Sequence, residues 1–284
     1  MLKFICASLA LIITSLYGQD LEYAKSIVNT LSSESMHGRG YVNGGDSLAA
    51  EFIANEFQTY NLHKWNNTYF QHYSFPINTF PGKLSICSGS RKFIAAKDFN
   101  VNASSGSING EKIIFRFNEK KVDNTKYLTK LSKIDFSNKV IIADNKLKPL
   151  IYSNHLMAAA LFFEYDKLPV WSVYDGENPV NWFSADVNKK SFKKIKKVNI
   201  VSESVFKEKH NTRNVIGFVP GYAYKDSFVV VTAHYDHLGR MGKDVYFPGA
   251  NDNASGIALM LNLAKHYSEK IDSLPYSIAF MAFS

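Results

Sequence analysis

Cysteine is almost absent from this chain. Only Cys6 and Cys87 occur among its 284 residues, and Cys6 lies in an apolar N-terminal run of the kind that signal-peptide cleavage removes. The mature chain would keep one thiol and could form no internal disulfide. Packing or a bound metal must therefore stabilise the fold.

Long apolar runs are also missing beyond the start of the chain. Lys3 precedes an almost uncharged apolar run from Phe4 to Tyr17, and polar sequence resumes at Gly18. The run is shorter than the about 20 apolar residues that span a bilayer, and no later run approaches that length. It is typical of a signal peptide, so we expect cleavage near Gly18 and no stable membrane insertion afterwards. The expected location is outside the cell or in the periplasm or cell envelope.

Acidic residues are too few to balance the basic ones, and the formal net charge is +8. Much of the excess lies in one lysine-rich stretch, residues 189–197, which Phe192 and Ile195 interrupt. Lysines along a solvated strand or loop edge discourage edge-to-edge pairing of strands. We therefore expect a solvated edge here and no nucleic-acid partner.

The pattern of apolar residues predicts helices on both sides of a mostly β middle. Apolar residues recur at helical spacing from Leu21 to Leu31 and again over 46–60, where Asp46 is a candidate cap. From about Pro81, short β-like runs such as 112–117 and 140–143 alternate with Ser, Asn and Gly clusters. We expect a signal peptide over 1–18, an α/β segment over 19–81, a mostly β insertion over 82–205 with one helix around 155–163, and a second α/β segment over 206–284.

Three elements after the insertion predict a parallel α/β sheet. Phe228 to Val231 is a continuous apolar run, which is typical of a central strand buried on both faces. Residues 253–267 carry apolar residues at helical spacing, and Ser277 to Phe283 is another apolar strand. Strand, helix and strand in this order indicate a parallel sheet, and ligands of such sheets bind beyond the carboxyl ends of the strands.

Candidate chemistry follows the first of these strands at once. In an extended segment His234 and Asp236 point to the same side, whereas His237 points the other way. Asp236 can then hold one nitrogen of the His234 imidazole and leave the other free for a metal. A His-x-Asp pair alone is more often an ordinary polar group at a strand end. Asp252, just before the predicted helix, has an alternative role as a helix cap, and so has Ser255.

Two motifs together make the signal specific. Ala-His-Tyr-Asp-His at 233–237 and Gly-Ala-Asn-Asp-Asn-Ala-Ser-Gly at 249–256 resemble the di-zinc aminopeptidase family, whose relatives include glutamate carboxypeptidase and glutaminyl cyclase. The resemblance extends to Asn-Val-Ile-Gly at 214–217 and, more loosely, to Gly-Arg-Gly at 38–40 and the helix at 46–60. It implies an α/β fold of the zinc exopeptidase type: a mixed, largely parallel sheet flanked by helices, with a protease-associated-like β domain inserted over 82–205. Residues 19–81 and 206–284 would then be N-terminal parts of the peptidase domain.

The resemblance also implies the roles of the site residues. His234 would bind one zinc, Asp252 would bridge two zincs, Asp236 would orient His234, and the peptide bond between Asp252 and Asn253 would be cis. Two cations about 3.5–4 Å apart repel each other and need shared negative charge, and together they polarise the scissile carbonyl. The implied reaction removes N-terminal residues from peptide substrates through a metal-bound hydroxide.

The chain departs from the family pattern at its last residue. In the family, the strand equivalent to 277–283 leads into Gly-Glu-Glu, which provides the general base and a zinc ligand, and further Asp and His ligands follow. This sequence stops at Ser284, so the general base and several ligands are missing from it. We therefore expect an incomplete and inactive portion of the enzyme.

Three other interpretations stay open. A shortened protein could use the same fold to bind peptides or proteins without catalysis, although its end on an apolar strand argues against this. A glutaminyl cyclase-like enzyme shares the fold with one zinc, but residues 251–256 look more like the peptidase version. A carboxypeptidase-like relative is the third, because the residues that select the substrate would lie after Ser284.

Overall fold

The computed structural model describes residues 20–284, so the predicted signal peptide and Cys6 lie outside the described residues. Short 3₁₀ turns and one π-type turn, Ala250–Ala254, connect the larger elements. No helix within residues 20–284 is long and apolar enough to cross a membrane. The α-helices are α1 Leu21–Leu31, α2 Gly45–Thr59, α3 Thr125–Leu131, α4 Lys148–Ile151, α5 Lys189–Phe192 and α6 Ser255–Ser268.

The strands alternate with these helices in the described part of the chain. The helices predicted over 21–31 and 46–60, and the strand predicted over 277–283, are confirmed to within a residue. The strands are β1 His63–Lys64, β2 Phe70–Thr79, β3 Leu84–Ser88, β4 Arg91–Phe93, β5 Phe99–Val101, β6 Ile108–Arg116, β7 Lys139–Asp144, β8 Ala160–Tyr165, β9 Phe183–Asn188, β10 Lys197–Ser202, β11 Val205–Val219, β12 Tyr224–His234, β13 Arg240–Met241, β14 Val245–Tyr246 and β15 Tyr276–Phe283.

A five-stranded mixed sheet has the order β1-β11-β15-β12, with β2 also paired to β11. Strands β12 and β15 are parallel, and their register runs from Phe228 opposite Ser277 to His234 opposite Phe283. The other pairs of this sheet are antiparallel. Helix α6 lies between β12 and β15 in the chain, so the three form the β-α-β unit that the sequence predicts. The mixed α/β fold class is therefore confirmed.

Helices α1, α2 and α6 pack with this sheet in one apolar core. Helix α1 begins where the Asp20 carboxylate accepts a hydrogen bond from the backbone N–H of Tyr23, at 3.0 Å. In α2, Ala49, Ile53 and Phe57 recur every four residues, so they lie on one face, and all three are fully buried. Burial of a side chain such as Phe57 contributes about 1.5–3 kcal/mol relative to its exposure.

Strand β12 is at the edge of the sheet, and the prediction of a central strand buried on both faces is wrong for it. β12 pairs with β15 on one side and is the last strand in the order. Val229 is 54% exposed and Val230 is 50% exposed. A continuous apolar run predicts a strand, but it does not determine how many neighbours that strand has within residues 20–284.

Residues 84–202 form a second sheet of eight strands, in the order β4-β3-β10-β6-β7-β8-β9-β5. The β-like runs predicted at 112–117 and 140–143 lie in β6 and β7. The helix predicted around 155–163 is wrong, because Ala160–Phe163 is the buried start of strand β8. A short apolar run is compatible with a buried helix and with a buried strand. Here it pairs with neighbouring strands of the eight-stranded sheet and is therefore a strand. The lysine-rich stretch is solvated as expected, while Phe192 between its lysines is buried.

The chain enters and leaves the eight-stranded sheet at adjacent points. Strands β2 and β11, which precede and follow it, pair antiparallel with each other. At their ends Thr79 is opposite Val205, and its hydroxyl donates to the Val205 carbonyl at 2.9 Å. The polypeptide between residues 79 and 205 therefore replaces the turn of a long hairpin.

Candidate metal centre

His234 and Asp252 lie next to each other at the carboxyl end of the parallel strand pair. His234 is the last residue of β12, and Asp252 lies in the turn before α6. Nε2 of His234 is 3.2 Å from Oδ1 of Asp252. Zinc binds a histidine nitrogen or a carboxylate oxygen at about 2.0–2.2 Å, so two atoms at this separation can bind one ion. The structure thus brings the two predicted ligands together.

Asp236 contacts the other ring nitrogen of His234 in two ways. Nδ1 of His234 is 3.2 Å from the Asp236 backbone carbonyl and 3.3 Å from its carboxylate Oδ1. With a cation between Nε2 and Asp252, either acceptor would hold the proton on Nδ1 and leave the lone pair of Nε2 for the cation. The second carboxylate oxygen of Asp236 accepts a hydrogen bond from the hydroxyl of Tyr41 at 2.8 Å. The sequence analysis did not identify Tyr41.

His237 is a further neighbour that the sequence analysis did not place at the site. Its Nδ1 is 3.8 Å from Oδ2 of Asp252, so two imidazoles flank this carboxylate. Burial, and secondly the positive charge of Arg39, lower the pKa of His237 below its ordinary value. The prediction that His237 points away from His234 assumes an extended strand. Because β12 ends at His234, the alternation of side chains along the strand does not reach His237.

The turn that carries Asp252 does not use it as a helix cap. The side chain that accepts from the first turn of α6 is that of Asn253, whose Oδ1 accepts a hydrogen bond from the backbone N–H of Gly256 at 3.1 Å. The hydroxyl of Ser255 donates to the Asn251 carbonyl at 3.1 Å. The alternative role of Asp252 or Ser255 as a cap is therefore wrong. The peptide bond between Asp252 and Asn253 is cis, as the resemblance implies.

The loop between the two motifs packs against the eight-stranded sheet. The indole of Trp171 stacks on the ring of Phe247, with centroids 5.0 Å apart. Met241 is buried in the core of that sheet, and the backbone N–H of Gly242 donates to the carbonyl of Phe80 at 3.0 Å. Contacts with the eight-stranded sheet therefore anchor the loop that precedes Asp252.

The most deeply buried charged side chain beside the site is that of Arg39. Its guanidinium donates to the backbone carbonyls of Tyr235 and Asp252, at 2.8 Å and 3.2 Å. These two acceptors belong to the two motifs. The sequence offered one signal for this residue, an arginine between Gly38 and Gly40 in a turn.

His234 and Asp252 provide donor atoms of the types that bind zinc, but fewer of them than a zinc ion usually takes. An imidazole nitrogen and a carboxylate oxygen are typical zinc ligands, and zinc usually takes about four. Within residues 20–284 there is no group of three or more His, Cys, Asp or Glu side chains that could hold a metal. His234 and Asp252 therefore fit as two members of a larger ligand set.

Comparisons with known proteins agree with the resemblance that the two motifs carry. Residues 214–284 match the sequence model of peptidase family M28, so the resemblance to the di-zinc aminopeptidase family is confirmed in this part of the chain. A search of curated protein sequences finds no match.

Solved structures with the same fold are zinc aminopeptidases and related peptidases. The aminopeptidase from Aneurinibacillus sp. strain AM-1 is 17% identical with a TM-score of 0.55. The alignment covers 94% of this chain and 63% of that one. For BSAP, a zinc aminopeptidase from Bacillus subtilis, the identity is 20%, the TM-score 0.61 and the coverage 93% of this chain and 61% of that one. The peptidase M28 precursor from Shewanella amazonensis SB2B is 14% identical with a TM-score of 0.51. The alignment covers 93% of this chain and 66% of that one. At these identities the likeness shows the fold, and the chain spans less than two thirds of each structure.

Proposed function

We propose that this protein is a zinc-dependent aminopeptidase of the M28 type, which removes N-terminal residues from peptides. One observation carries the proposal: Nε2 of His234 and Oδ1 of Asp252 are 3.2 Å apart at the carboxyl end of a parallel strand pair. Ligands of α/β sheets bind at this end. The match of residues 214–284 to peptidase family M28 supports the same function.

The roles that we propose follow from the positions of the side chains. His234 binds one zinc through Nε2, and Asp236 keeps the proton of that ring on Nδ1. Asp252 would hold both zincs, since a carboxylate has two oxygens that can bind cations. Bound zinc supplies a Lewis acid that polarises the scissile carbonyl and lowers the pKa of water. Tyr41 fixes the Asp236 carboxylate that acts on His234.

The proposal extends to the organisation and location of the protein. Residues 1–18 are a signal peptide that directs export to the periplasm, cell envelope or medium. Residues 19–81 and 206–284 belong to the peptidase domain, and 82–205 are an inserted protease-associated-like domain. Peptides are the substrates, and no nucleic acid is bound.

A second candidate is a peptide- or protein-binding role without catalysis. It is favoured by the donor count, because His234 and Asp252 provide two of the about four ligands that zinc usually takes. Zinc binding, turnover and peptide binding, measured separately, distinguish the two candidates.

Zinc titration calorimetry on the wild type, His234→Ala and Asp252→Asn tests the metal centre. Each substitution removes a ligand, so zinc affinity should fall by more than the about tenfold to hundredfold that loss of a supporting hydrogen bond costs. His63→Ala is the control, because His63 is an exposed histidine on β1. Its affinity should equal that of the wild type. Zinc binding that is the same in all four proteins would rule out the proposed centre.

Hydrolysis of aminoacyl chromogenic substrates with added zinc tests the reaction. Turnover that both ligand substitutions abolish and His63→Ala preserves supports the peptidase. Zinc binding that depends on His234, with no turnover of any substrate, is expected both for the inactive portion that the sequence predicts and for the binding role. Peptide binding that persists in His234→Ala and Asp252→Asn supports the binding role.

A further inference from the structure

The guanidinium of Arg39 donates five hydrogen bonds, and three of them connect the two motifs. The side chain is fully buried. Every acceptor is a backbone carbonyl, and both terminal nitrogens and Nε take part. Nε donates to Tyr235 at 2.8 Å, one terminal nitrogen donates to Leu31 and Pro248 at 2.8 Å each, and the other donates to Gly249 at 2.8 Å and Asp252 at 3.2 Å.

This set of contacts suits arginine alone among the side chains. The five N–H groups of a guanidinium lie in one rigid plane, whereas a lysine ammonium has three donors at a single point. Burying a cation is costly unless it is fully hydrogen-bonded, and here carbonyl dipoles replace the usual carboxylate partner. Burial lowers the pKa of Arg39 to about 10, so it remains charged at neutral pH.

The backbone around Arg39 is fitted closely to the segment after β12. The carbonyl of Arg39 accepts from the N–H of His237, and that of Gly38 accepts from the N–H of Gly239, both at 3.0 Å. A Cβ on Gly40 would lie 2.5 Å from the Gly239 Cα, so no larger residue fits there. Arg39 itself has φ +47°, a left-handed conformation that non-glycine residues seldom adopt. Such strain persists where surrounding contacts enforce it.

We infer that Arg39 is a positioning residue of the metal centre, which holds the 248–252 turn against β12 so that Asp252 faces His234. It acts through main-chain carbonyls and contributes no atom to the metal. The inference rests on the proposed function where it concerns zinc, and on the hydrogen bonds alone where it concerns the position of the turn.

Arg39→Lys is the test variant, because it keeps the charge and removes the planar set of donors. Arg240→Lys is the matched control: Arg240 is also buried, but it donates to Glu34, His37 and the Lys243 carbonyl and contacts none of the 248–252 turn. Zinc affinity should fall by about tenfold to hundredfold in Arg39→Lys, as for other supporting contacts of metal ligands. It should stay at the wild-type value in Arg240→Lys. A purely structural role would lower the metal-free melting temperatures of both variants and leave both affinities unchanged.

Amide hydrogen exchange of the metal-free proteins gives a second readout that does not depend on zinc. The N–H of Ala254 donates to the Gly249 carbonyl across the turn, at 3.2 Å. It should exchange about tenfold faster in Arg39→Lys than in Arg240→Lys, because opening this turn becomes easier by the energy of about one hydrogen bond from a charged donor. If the wild type binds no zinc, the proposed function fails, and the exchange rate alone decides the role of Arg39.

Gly249→Ala disturbs the contact between Arg39 and the turn by changing the turn instead of Arg39. It serves as the test variant if Arg39→Lys does not fold. A Cβ on Gly249 would lie 2.4 Å from the Asp252 carbonyl oxygen, 2.5 Å from Cδ2 of His237 and 2.6 Å from a terminal nitrogen of Arg39, so it disturbs the neighbours of Arg39 as well as Arg39 itself. It should reproduce the loss of zinc affinity and the faster exchange. Wild-type exchange at Ala254 in a folded Arg39→Lys or Gly249→Ala protein would overturn the inference.

Discussion

Asp236 has a partner for each of its carboxylate oxygens. Oδ1 is 3.3 Å from Nδ1 of His234, and Oδ2 accepts from the hydroxyl of Tyr41 at 2.8 Å. The Tyr41 ring is held edge-on between Phe75 and His210, at centroid distances of 5.1 and 5.2 Å. Burial, and secondly the charge of Asp236, raise the pKa of Tyr41 above its ordinary value. The hydroxyl therefore remains a donor to Asp236 at any physiological pH.

Tyr41→Phe removes this donor and leaves the ring packing intact. We expect zinc affinity to fall by about tenfold, the lower end of the effect of such contacts, because Asp236 then holds His234 less firmly. The free energy of unfolding should fall by about 1 kcal/mol. Zinc titration and urea unfolding measure the two quantities.

Tyr69→Phe is the control for Tyr41→Phe. Tyr69 is equally buried, and its hydroxyl donates to the Leu62 carbonyl at 2.7 Å, remote from the metal ligands. It should lose similar stability and keep wild-type zinc affinity. Equal affinities in the two variants would show that Tyr41 supports the fold and not the site.

At the scale of elements, helix α2 packs on β11 where the strand has no side chain. A Cβ on Gly217 would lie 2.8 Å from the Phe57 ring and 3.2 Å from Leu62. Phe57 is fully buried and also packs against the rings of Tyr69 and Phe280. The absence of a side chain at 217 thus lets α2 approach the sheet closely.

Gly217→Ala should therefore overpack this contact and lower the free energy of unfolding by about 1–3 kcal/mol. In a Phe57→Leu background the smaller side chain leaves room for the new methyl group, so the cost should shrink by about 1 kcal/mol. Urea unfolding of the wild type, the two single variants and the double variant measures this coupling. Strict additivity would mean that the two positions do not interact.

The sequence predicts the long elements well and the short apolar ones poorly. Helices α1 and α2 have apolar residues at helical spacing over several turns, and both lie where that spacing puts them. Ala160–Phe163 has four apolar residues without a period, so helix and strand were not distinguishable there. The apolar run in β12 was recognised as a strand, but its place at the sheet edge depends on pairing partners and not on its own residues.

The site was predictable only where its residues are close in sequence. His234, Asp236 and Asp252 lie in two motifs that follow one another within about 20 residues. Arg39 and Tyr41 reach the same place from 196 and 195 residues away. Local patterns do not encode such contacts, because they arise from how the chain folds back on itself.

At the scale of the whole molecule, β12 gives residues 20–284 an exposed apolar edge. Val229 and Val230 are half exposed there, and an edge strand presents unpaired backbone donors and acceptors. Two copies of such an edge can pair with each other. A protein that consists of residues 20–284 should therefore self-associate as its concentration rises.

Val230→Lys should reduce this association, because an edge lysine must lose its hydration when two strands pair. Val230 is already half exposed, so the free energy of unfolding should change by less than about 0.5 kcal/mol. Sedimentation velocity over a range of concentrations measures the effect. Met157→Lys is the control, since it changes an exposed apolar residue in a loop. Equal association of both variants and the wild type would exclude the β12 edge as the contact.

The antiparallel pairing of β2 with β11 bears on how this architecture could arise and change. Because Thr79 and Val205 are neighbours, a whole sheet can be gained or exchanged at this hairpin tip without changing the path of any strand of the five-stranded sheet. Such an exchange is constrained, because Phe80 and Trp171 contact the loop that leads to Asp252. A replacement for this segment must therefore offer an apolar surface to Met241 and Phe247, and selection on that surface would act indirectly on the proposed metal site.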